Sequence, residues 1–230
     1  MHLAIIPDGN RRWAKQKGIP GFMGHKKGAE TMEQIISAAF DMDVTHLTIW
    51  GASVANVTER SKEEVDFLFS VFEDSFKRLL NSPKLSERKA RVRILGEWRN
   101  RFSDSLKNVC EELINNTEKN DGPSLTFMLA YSGTGEILEA AKNIAERKAA
   151  DQSFEITRES YKESLMTKEL PPVDLVIRTG GEPHWSDAFM AWDTANAQLY
   201  FTETFWPAFS EEELKSAIDK FNATERRMGK

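Results

Sequence analysis

A carboxylate, an amide, two guanidinium groups and an indole lie within one short stretch near the start of the chain, Asp8-Gly9-Asn10-Arg11-Arg12-Trp13. Taken alone, Asp8-Gly9-Asn10 predicts only a turn. A carboxylate can also hold Mg²⁺ while arginines clamp the phosphate oxygens that the metal bridges, and glycine lets backbone amides approach an anion closely. The arginines and the tryptophan therefore favour a site for a phosphorylated ligand.

Two later segments are also suited to anions. Gly24-His25-Lys26-Lys27-Gly28 opens a predicted helix, where the helix N-terminus and nearby cations favour negative charge. A solvated basic first turn explains this segment equally well. Arg178-Thr179-Gly180-Gly181-Glu182 places an arginine at the end of a predicted strand, although paired glycines are weak evidence for a phosphate loop. Both segments could serve the same ligand as Asp8.

Short apolar runs alternate with stretches of helical period along the chain, and this alternation predicts an α/β fold with a central, mostly parallel sheet of about six strands surrounded by helices. The predicted strands are His2–Ile6, His46–Trp50, Arg91–Leu95, Leu125–Tyr131, Asp174–Arg178 and Leu199–Phe201. Two helices carry apolar stripes, over 29–40 and 65–79. The second stripe suits a packed core better than the wall of a cavity.

Ligands of such sheets bind beyond the carboxyl ends of the strands. Asp8, Ser53, Ser132 and Arg178 each follow a predicted strand, so we expect them to converge on one cleft. Polar residues after strands also form turns and cap helices, which is the alternative for each of them.

The composition indicates an ordinary globular protein, and no linker divides the 230 residues, so we expect a single domain over 1–230. A net charge of −5 argues against a general nucleic-acid binder. The apolar runs are too short for a membrane span and no leader pattern is present, which predicts a cytoplasmic protein. Cys110, the single cysteine, has the helical spacing of a core thiol.

Several sequence motifs together resemble those of the cis-prenyltransferases, the undecaprenyl diphosphate synthase family. They are Asp8-Gly9-Asn10-Arg11-Arg12-Trp13-Ala14, Gly24-His25-Lys26-Lys27-Gly28, Asp174-Leu175-Val176-Ile177-Arg178-Thr179-Gly180-Gly181-Glu182, Leu199-Tyr200-Phe201 and Trp206-Pro207. The resemblance covers nearly the whole chain in the same order and continues to Arg226-Arg227.

The resemblance implies a hydrophobic tunnel within the α/β fold, a homodimer, and Mg²⁺-dependent condensation of isopentenyl diphosphate with an allylic diphosphate to give a (poly)prenyl diphosphate. It implies no nucleic-acid partner, and it allows peripheral membrane contact through the lipid product. The resemblance also explains why arginines follow Asp8 so closely: it implies that the metal and the leaving diphosphate meet at this carboxylate.

The resemblance also implies roles for individual residues. Asp8, Asn10 and Asn56 are the implied catalytic residues, with Asp8 holding the metal and Asn10 lying near the reacting carbon. Asp8 and Gln198 are the implied metal ligands. The implied substrate-binding residues are Gly9, Arg11, Arg12, Trp13, His25, Ser53, Arg60, Arg178, His184 and Ser186.

The sequence departs from the family pattern at several positions. Where the family has arginine, the chain has Gly21 and His184; where it has glutamate, the chain has Ala55 and Gln198; and Ala130-Tyr131-Ser132-Gly133-Thr134 replaces Asn-Tyr-Gly-Gly-Arg. An amide oxygen is a weaker Mg²⁺ ligand than a carboxylate. We expect these changes to alter isopentenyl diphosphate affinity, metal geometry or substrate choice.

Three function classes follow. The first is an active, divergent cis-prenyltransferase, and the second is a non-catalytic subunit that supports an active partner. Silent subunits of this family typically lose the opening aspartate motif, which this chain keeps whole, so the enzyme is favoured. The third, a phosphate-binding α/β enzyme of unrelated chemistry, explains the loops but not Trp13, Tyr200-Phe201 and Trp206-Pro207 together.

Overall fold

Six parallel strands form the central sheet of the computed structural model, in the spatial order β3-β4-β2-β1-β5-β6. The structure describes residues 1–224; Arg226 and Arg227 lie outside this part. The strands are β1 His2–Ile6, β2 His46–Trp50, β3 Arg91–Leu95, β4 Ser124–Met128, β5 Leu175–Arg178 and β6 Gln198–Phe201. The predicted parallel α/β architecture is confirmed.

The largest difference from the predicted strands is at the end of β4. The buried apolar run continues to Tyr131, but the strand stops at Met128 and Ala130 adopts a left-handed φ of 47°. The chain remains buried after it leaves the ladder, with Tyr131 bridged to Ser53. The buried apolar run therefore extends beyond the last paired residue of β4, and it did not predict where the strand ends.

Helices cover both faces of the sheet. They are α1 Asn10–Gln16, α2 Gly21–Asp41, α3 Val54–Thr58, α4 Lys62–Leu80, α5 Pro83–Glu87, α6 Trp98–Arg101, α7 Asp104–Thr117, α8 Gly133–Ala150, α9 Arg158–Glu163 and α10 Glu211–Ala223. Serine side chains cap two of these helices at their N-termini. Ser61 accepts from the Glu64 amide at α4, and Ser210 forms a complete capping box with Glu213 at α10.

Alternate residues of the strands pack into two apolar clusters, one on each face of the sheet. On the first face Leu3 and Ile5 pack with the stripes of α2 and α4. On the other face Ala4 and Ile6 pack with the segment around Phe189. The stripe of α4 is packed as core, as its spacing indicated, because Leu68, Phe72, Phe76 and Leu79 are each 8% exposed or less.

The structure also bears on the predictions made for Cys110 and for membrane-spanning segments. Cys110 is fully buried in the core on α7, and burial raises the pKa of its thiol to about 12. Within residues 1–224, none of the helices combines the length and the apolar character needed to cross a membrane.

Candidate active site

A cavity of about 570 Å³ opens at the carboxyl ends of β1, β2 and β5. Three of the four post-strand residues, Asp8, Ser53 and Arg178, meet in it, so that part of the predicted convergence is confirmed. Ser132, the fourth, is outside the cavity wall formed by the described residues. Its hydroxyl accepts from the Gly135 amide and caps α8, which was the alternative for a polar residue in that position.

Asp8 lies at the centre of the cavity and is held from several sides. Its Oδ1 accepts from the Gly9 amide at 2.6 Å and is 3.0 Å from Arg12, while its Oδ2 is 2.9 Å from Arg178. Thr179 fixes the backbone, since its hydroxyl donates to the Asp8 carbonyl and accepts from the Asp8 amide. Gly9 has a φ of 103°, which side chains other than hydrogen disfavour. This left-handed turn directs α1 away from the strand and leaves the carboxylate in the cavity.

Arg178 is the most buried charge of the site, with a side chain 5% exposed at the last position of β5. Its guanidinium donates to Asp8, to the hydroxyl of Ser186 and to the carbonyl of His184, the last at 2.8 Å. A buried cation needs this paired and hydrogen-bonded setting. The guanidinium of Arg178 therefore links the carboxylate of Asp8, which follows β1, to the loop that follows β5.

Arg12 completes the first group of cations. It lies between Asp8 and Glu182, at 2.9 Å from the latter, with its guanidinium over the Phe205 ring at 5.4 Å from the ring centre. Its side chain is 39% exposed, so it can reorient toward a bound anion. We name Arg12, Arg178 and Ser186 the inner diphosphate group.

A second group of basic residues also lines the cavity, with Arg11 on α1, His25 on α2 and Arg60 between α3 and α4. Arg60 contacts the imidazole of His25 at 3.5 Å and forms no salt bridge within residues 1–224, and Arg11 lies 3.6 Å from Glu64. Burial and the proximity of Arg11 lower the pKa of Arg60. We name Arg11, His25 and Arg60 the outer diphosphate group; its positive charge is incompletely balanced by the surrounding protein.

His25 is neutral at pH 7, and its titration gives a test of the outer group. Burial, followed by Arg60 and Arg11, lowers the pKa of His25 from 6.5 to about 4. Because the unfolded chain binds the proton more tightly, the stability contributed by neutral His25 is expected to be lost as pH falls from about 6.5 to 4. Bound inorganic diphosphate should offset the nearby cations and raise this pKa.

The check is a histidine NMR titration with and without inorganic diphosphate, with the His25 signal assigned from the His25→Asn variant. A midpoint above pH 6 in the free protein would contradict the burial of the imidazole. An unchanged midpoint with diphosphate bound would show that the anion lies elsewhere.

Asn10 and Asn56, the two amide side chains that the sequence predicted to be in the site, also line the cavity. Asn10 donates to the Pro7 carbonyl at 3.2 Å, and its buried Oδ1, packed against Gly28, has no hydrogen-bond partner among the described residues. Asn56 and Ser53 form a reciprocal capping box at α3. Asn10 thus keeps an unsatisfied acceptor that is buried against α2, whereas Asn56 has a capping role.

Besides Ser132, three residues named from the sequence lie outside the cavity wall within the described part of the chain. Trp13 is half-buried on α1. The His184 side chain is 57% exposed, and its ring lies 3.1 Å from Ser186 and 3.6 Å from Glu182. Gln198 begins β6 opposite Leu175, three residues before the Arg178–Phe201 pair and so roughly 10 Å from the active end of the sheet. One chain alone therefore does not bring Gln198 to Asp8.

The donor set fits Mg²⁺ only together with a phosphorylated substrate. Within residues 1–224 no group of three or more His, Cys, Asp or Glu side chains could hold a metal. Mg²⁺ is commonly held by one or two carboxylates plus substrate phosphates. Asp8, 31% exposed and flanked by two phosphate-compatible arginines, matches that type of site.

Two residues that hold the site together were not among the site residues predicted from the sequence. Glu182 pairs with Arg12 and lies 3.9 Å from Arg178, and Thr179 fixes the Asp8 backbone. Both belong to the Arg178-Thr179-Gly180-Gly181-Glu182 motif, which the sequence already marked as suited to an anion, so that motif was the available signal.

Comparison with known proteins gives consistent matches over the whole chain. A prenyltransferase family model described as "Putative undecaprenyl diphosphate synthase" matches residues 6–229. An isoprenyl transferase of Neisseria gonorrhoeae is 37% identical over 229 residues, covering 100% of this chain and 89% of the relative. A ditrans,polycis-undecaprenyl-diphosphate synthase of Vibrio vulnificus, named as (2E,6E)-farnesyl-diphosphate specific, is 39% identical over 230 residues, covering 99% and 90%.

A solved structure is also similar in fold. The crystal structure of lavandulyl diphosphate synthase from Lavandula x intermedia, in complex with dimethylallyl diphosphate, superposes with a TM-score of 0.91 at 32% identity, covering 100% of this chain and 98% of that one.

Proposed function

Because the chain belongs to the undecaprenyl diphosphate synthase family of prenyltransferases, we propose that it condenses isopentenyl diphosphate with an allylic diphosphate in a Mg²⁺-dependent reaction. The observation that carries this proposal is the arrangement of two cationic groups around one carboxylate in a single cavity. Two diphosphates need two such groups, and the leaving diphosphate needs its charge neutralised where the bond breaks.

The proposed reaction breaks one C–O bond and forms one C–C bond. The allylic C–O bond breaks with its electron pair leaving on the diphosphate, and a C–C bond forms between the allylic carbon and the terminal alkene carbon of isopentenyl diphosphate. The positive charge this leaves on the tertiary carbon is removed when the CH₂ group between that carbon and the diphosphate-bearing carbon gives one proton to an oxygen base, which forms the new double bond. Bound Mg²⁺, held by Asp8 and substrate phosphates, would neutralise charge on the leaving group. The outer group would bind the allylic diphosphate and the inner group the isopentenyl diphosphate. Asn10, which lines the cavity beside Asp8, would lie near the reacting carbon.

We propose dimethylallyl diphosphate as an allylic substrate of this chain, because the similar lavandulyl diphosphate synthase was crystallised with that compound. Purified protein with labelled isopentenyl diphosphate, Mg²⁺ and C5, C10 or C15 allylic diphosphates should form a labelled prenyl diphosphate, and chelation of Mg²⁺ should stop it. If no primer gives product alone but an active family member is stimulated by the chain, it is instead a supporting subunit. A cytoplasmic location stays a prediction of the sequence.

A homodimer is proposed from the exposed edge of the sheet. β6 is the edge strand, and its outward residues Leu199 and Phe201 are 45% and 39% exposed, with Trp192 40% exposed nearby along the chain. Exposed apolar residues on an edge strand favour coverage by another molecule. Light scattering at micromolar concentration should give the mass of two chains, and a monomer at that concentration would contradict the proposal.

The Gln198→Glu variant tests whether a second copy supplies position 198 to the metal. Because one chain keeps Gln198 at the far end of β6, any effect must come through the partner or through β6 itself. Restoring a carboxylate is expected to lower the Mg²⁺ concentration for half-maximal rate. A Mg²⁺ titration of both proteins provides the measurement. An unchanged half-point would show that position 198 is no metal ligand, and a raised one would show a site rebuilt around the amide.

A further inference from the structure

Three carboxylates line the Asp8 cavity, and their surroundings differ. Asp8 contacts Arg12 and Arg178, and Glu182 contacts the same two arginines. Asp187, the third, contacts no cationic side chain within residues 1–224. Its Oδ1 accepts a hydrogen bond from the Thr134 hydroxyl at 2.5 Å. Asp187 is thus the carboxylate of the cavity wall that no cation occupies.

The backbone of Asp187 has an unusual conformation. Its φ is 43° and that of Ala188 is 49°, in the left-handed region that non-glycine residues seldom adopt. The Gly133 amide donates to the Asp187 carbonyl at 3.0 Å, and a Cβ on Gly133 would lie 2.0 Å from the Ala188 carbonyl oxygen. The start of α8 therefore holds this loop in place. Backbone strain of this kind clusters at active sites, where the surrounding structure maintains it.

Asp187 also lies next to the inner diphosphate group. It directly follows Ser186, whose hydroxyl accepts from the guanidinium of Arg178. In the proposed reaction the inner group binds isopentenyl diphosphate, and the proton is lost from the CH₂ group beside the diphosphate-bearing carbon. A base for this proton must lie close to that diphosphate, and a carboxylate one residue from Ser186 meets the requirement.

We infer that Asp187 is the oxygen base of the condensation, a catalytic residue beyond those predicted from the sequence. The inference rests on the proposed function. After the C–C bond has formed, the C–H electron pair becomes the new double bond and the proton moves to a carboxylate oxygen of Asp187. The carboxylic acid then returns the proton to water, because Asp187 is exposed. A C–H bond beside a carbocation is strongly acidic, so the position of the base matters more than its strength.

The other polar groups of the cavity are less suited to this step. Asp8 would hold the metal, and Glu182 is held by two arginines. Asn10 and Asn56 carry amides, which are not bases at neutral pH. Asp187 combines a free carboxylate with a place beside the second substrate.

The test measures single turnover with dimethylallyl diphosphate and isopentenyl diphosphate, the latter with and without deuterium in the CH₂ group that loses the proton. Wild-type protein should react at nearly the same rate with both forms, because C–O cleavage comes first and limits the rate. Asp187→Asn keeps an oxygen that can accept from Thr134 but removes the base. It should be slower by about a hundredfold, and slower again with the deuterated substrate.

Glu182→Gln is the matched control, since it makes the same change from carboxylate to amide in the same cavity. Whatever its rate, it should show no isotope effect. A wild-type rate in Asp187→Asn would assign the proton to an oxygen of the leaving diphosphate, and would overturn the inference. A slow Asp187→Asn without an isotope effect would also overturn it, because Asp187 would then only position the loop.

Chemical rescue gives a second readout with a different variant. Glycine suits the left-handed backbone at position 187 and leaves space for a small carboxylate. Formate should therefore restore part of the single-turnover rate of Asp187→Gly, and chloride at the same ionic strength should not. Equal rates with the two anions would assign Asp187 a structural role. Absence of product from the wild type with every primer would instead overturn the proposed function, and the base with it.

Discussion

Replacing Asp8 with alanine is expected to lower turnover by about a thousandfold, because the variant loses the carboxylate that would hold Mg²⁺ between the two diphosphate groups. The change should also lower the melting temperature, since Arg178, only 5% exposed, loses its contact at 2.9 Å. Asp8→Asn keeps an acceptor oxygen near Arg12 and Arg178, so it should retain more stability than Asp8→Ala while losing a similar factor in turnover. Steady-state kinetics and thermal unfolding of both variants measure this.

The matched control for Asp8 is Glu182→Gln. Glu182 contacts the same two arginines, at 2.9 and 3.9 Å, so this variant disturbs their positions and leaves the central carboxylate in place. Its turnover should fall less than about tenfold. If Glu182→Gln loses as much turnover as Asp8→Asn, Asp8 acts only by positioning the arginines. Near wild-type turnover in folded Asp8→Ala would remove Asp8 from catalysis altogether.

The sequence predicted the positions of the site residues best where they directly follow strands. β1 ends at Ile6 and β5 at Arg178, as predicted, and a parallel ladder brings such ends to one edge. Asp8 and Arg178 are 170 residues apart in the chain, yet neighbouring strands bring them into contact. This part of the site followed from strand order and direction alone.

The rest depended on contacts that spacing does not encode. Ser132 also follows a strand, but its hydroxyl is used by the amide of Gly135. Gln198 is adjacent to Leu199-Tyr200-Phe201 in sequence, and only the β5–β6 register shows that it starts its strand far from Asp8. Capping and register arise from local backbone geometry and strand pairing, so residue type could not decide either one.

Three of the departures from the family pattern, at positions 55, 134 and 184, lie in the cavity wall or next to it and leave the carboxylate of Asp8 unchanged. Ala55, which replaces a glutamate, lines the wall, and Thr134, which replaces an arginine, binds Asp187 at 2.5 Å beside Ser186. His184 contacts Ser186 instead of supplying a guanidinium. The chain thus keeps the groups proposed for ionisation and changes those that would surround the second substrate. These changes favour altered substrate choice over loss of catalysis.

Replacing Arg178 with lysine is expected to raise the KM for isopentenyl diphosphate by about a hundredfold, with a smaller loss in kcat. The guanidinium contacts Asp8, Ser186 and the His184 carbonyl at once, and a lysine ammonium cannot reproduce that planar fork. The unfolding free energy should fall by about 1 to 3 kcal/mol, because buried acceptors lose their donors. Arg11→Lys is the control, since Arg11 is 59% exposed and should tolerate the change with little loss of stability. Initial rates over a range of isopentenyl diphosphate concentrations, with denaturant unfolding of each variant, separate binding from stability. A wild-type KM in folded Arg178→Lys would show that Arg178 only supports the Asp8 turn, and the inner diphosphate group would then have to be sought at Arg12.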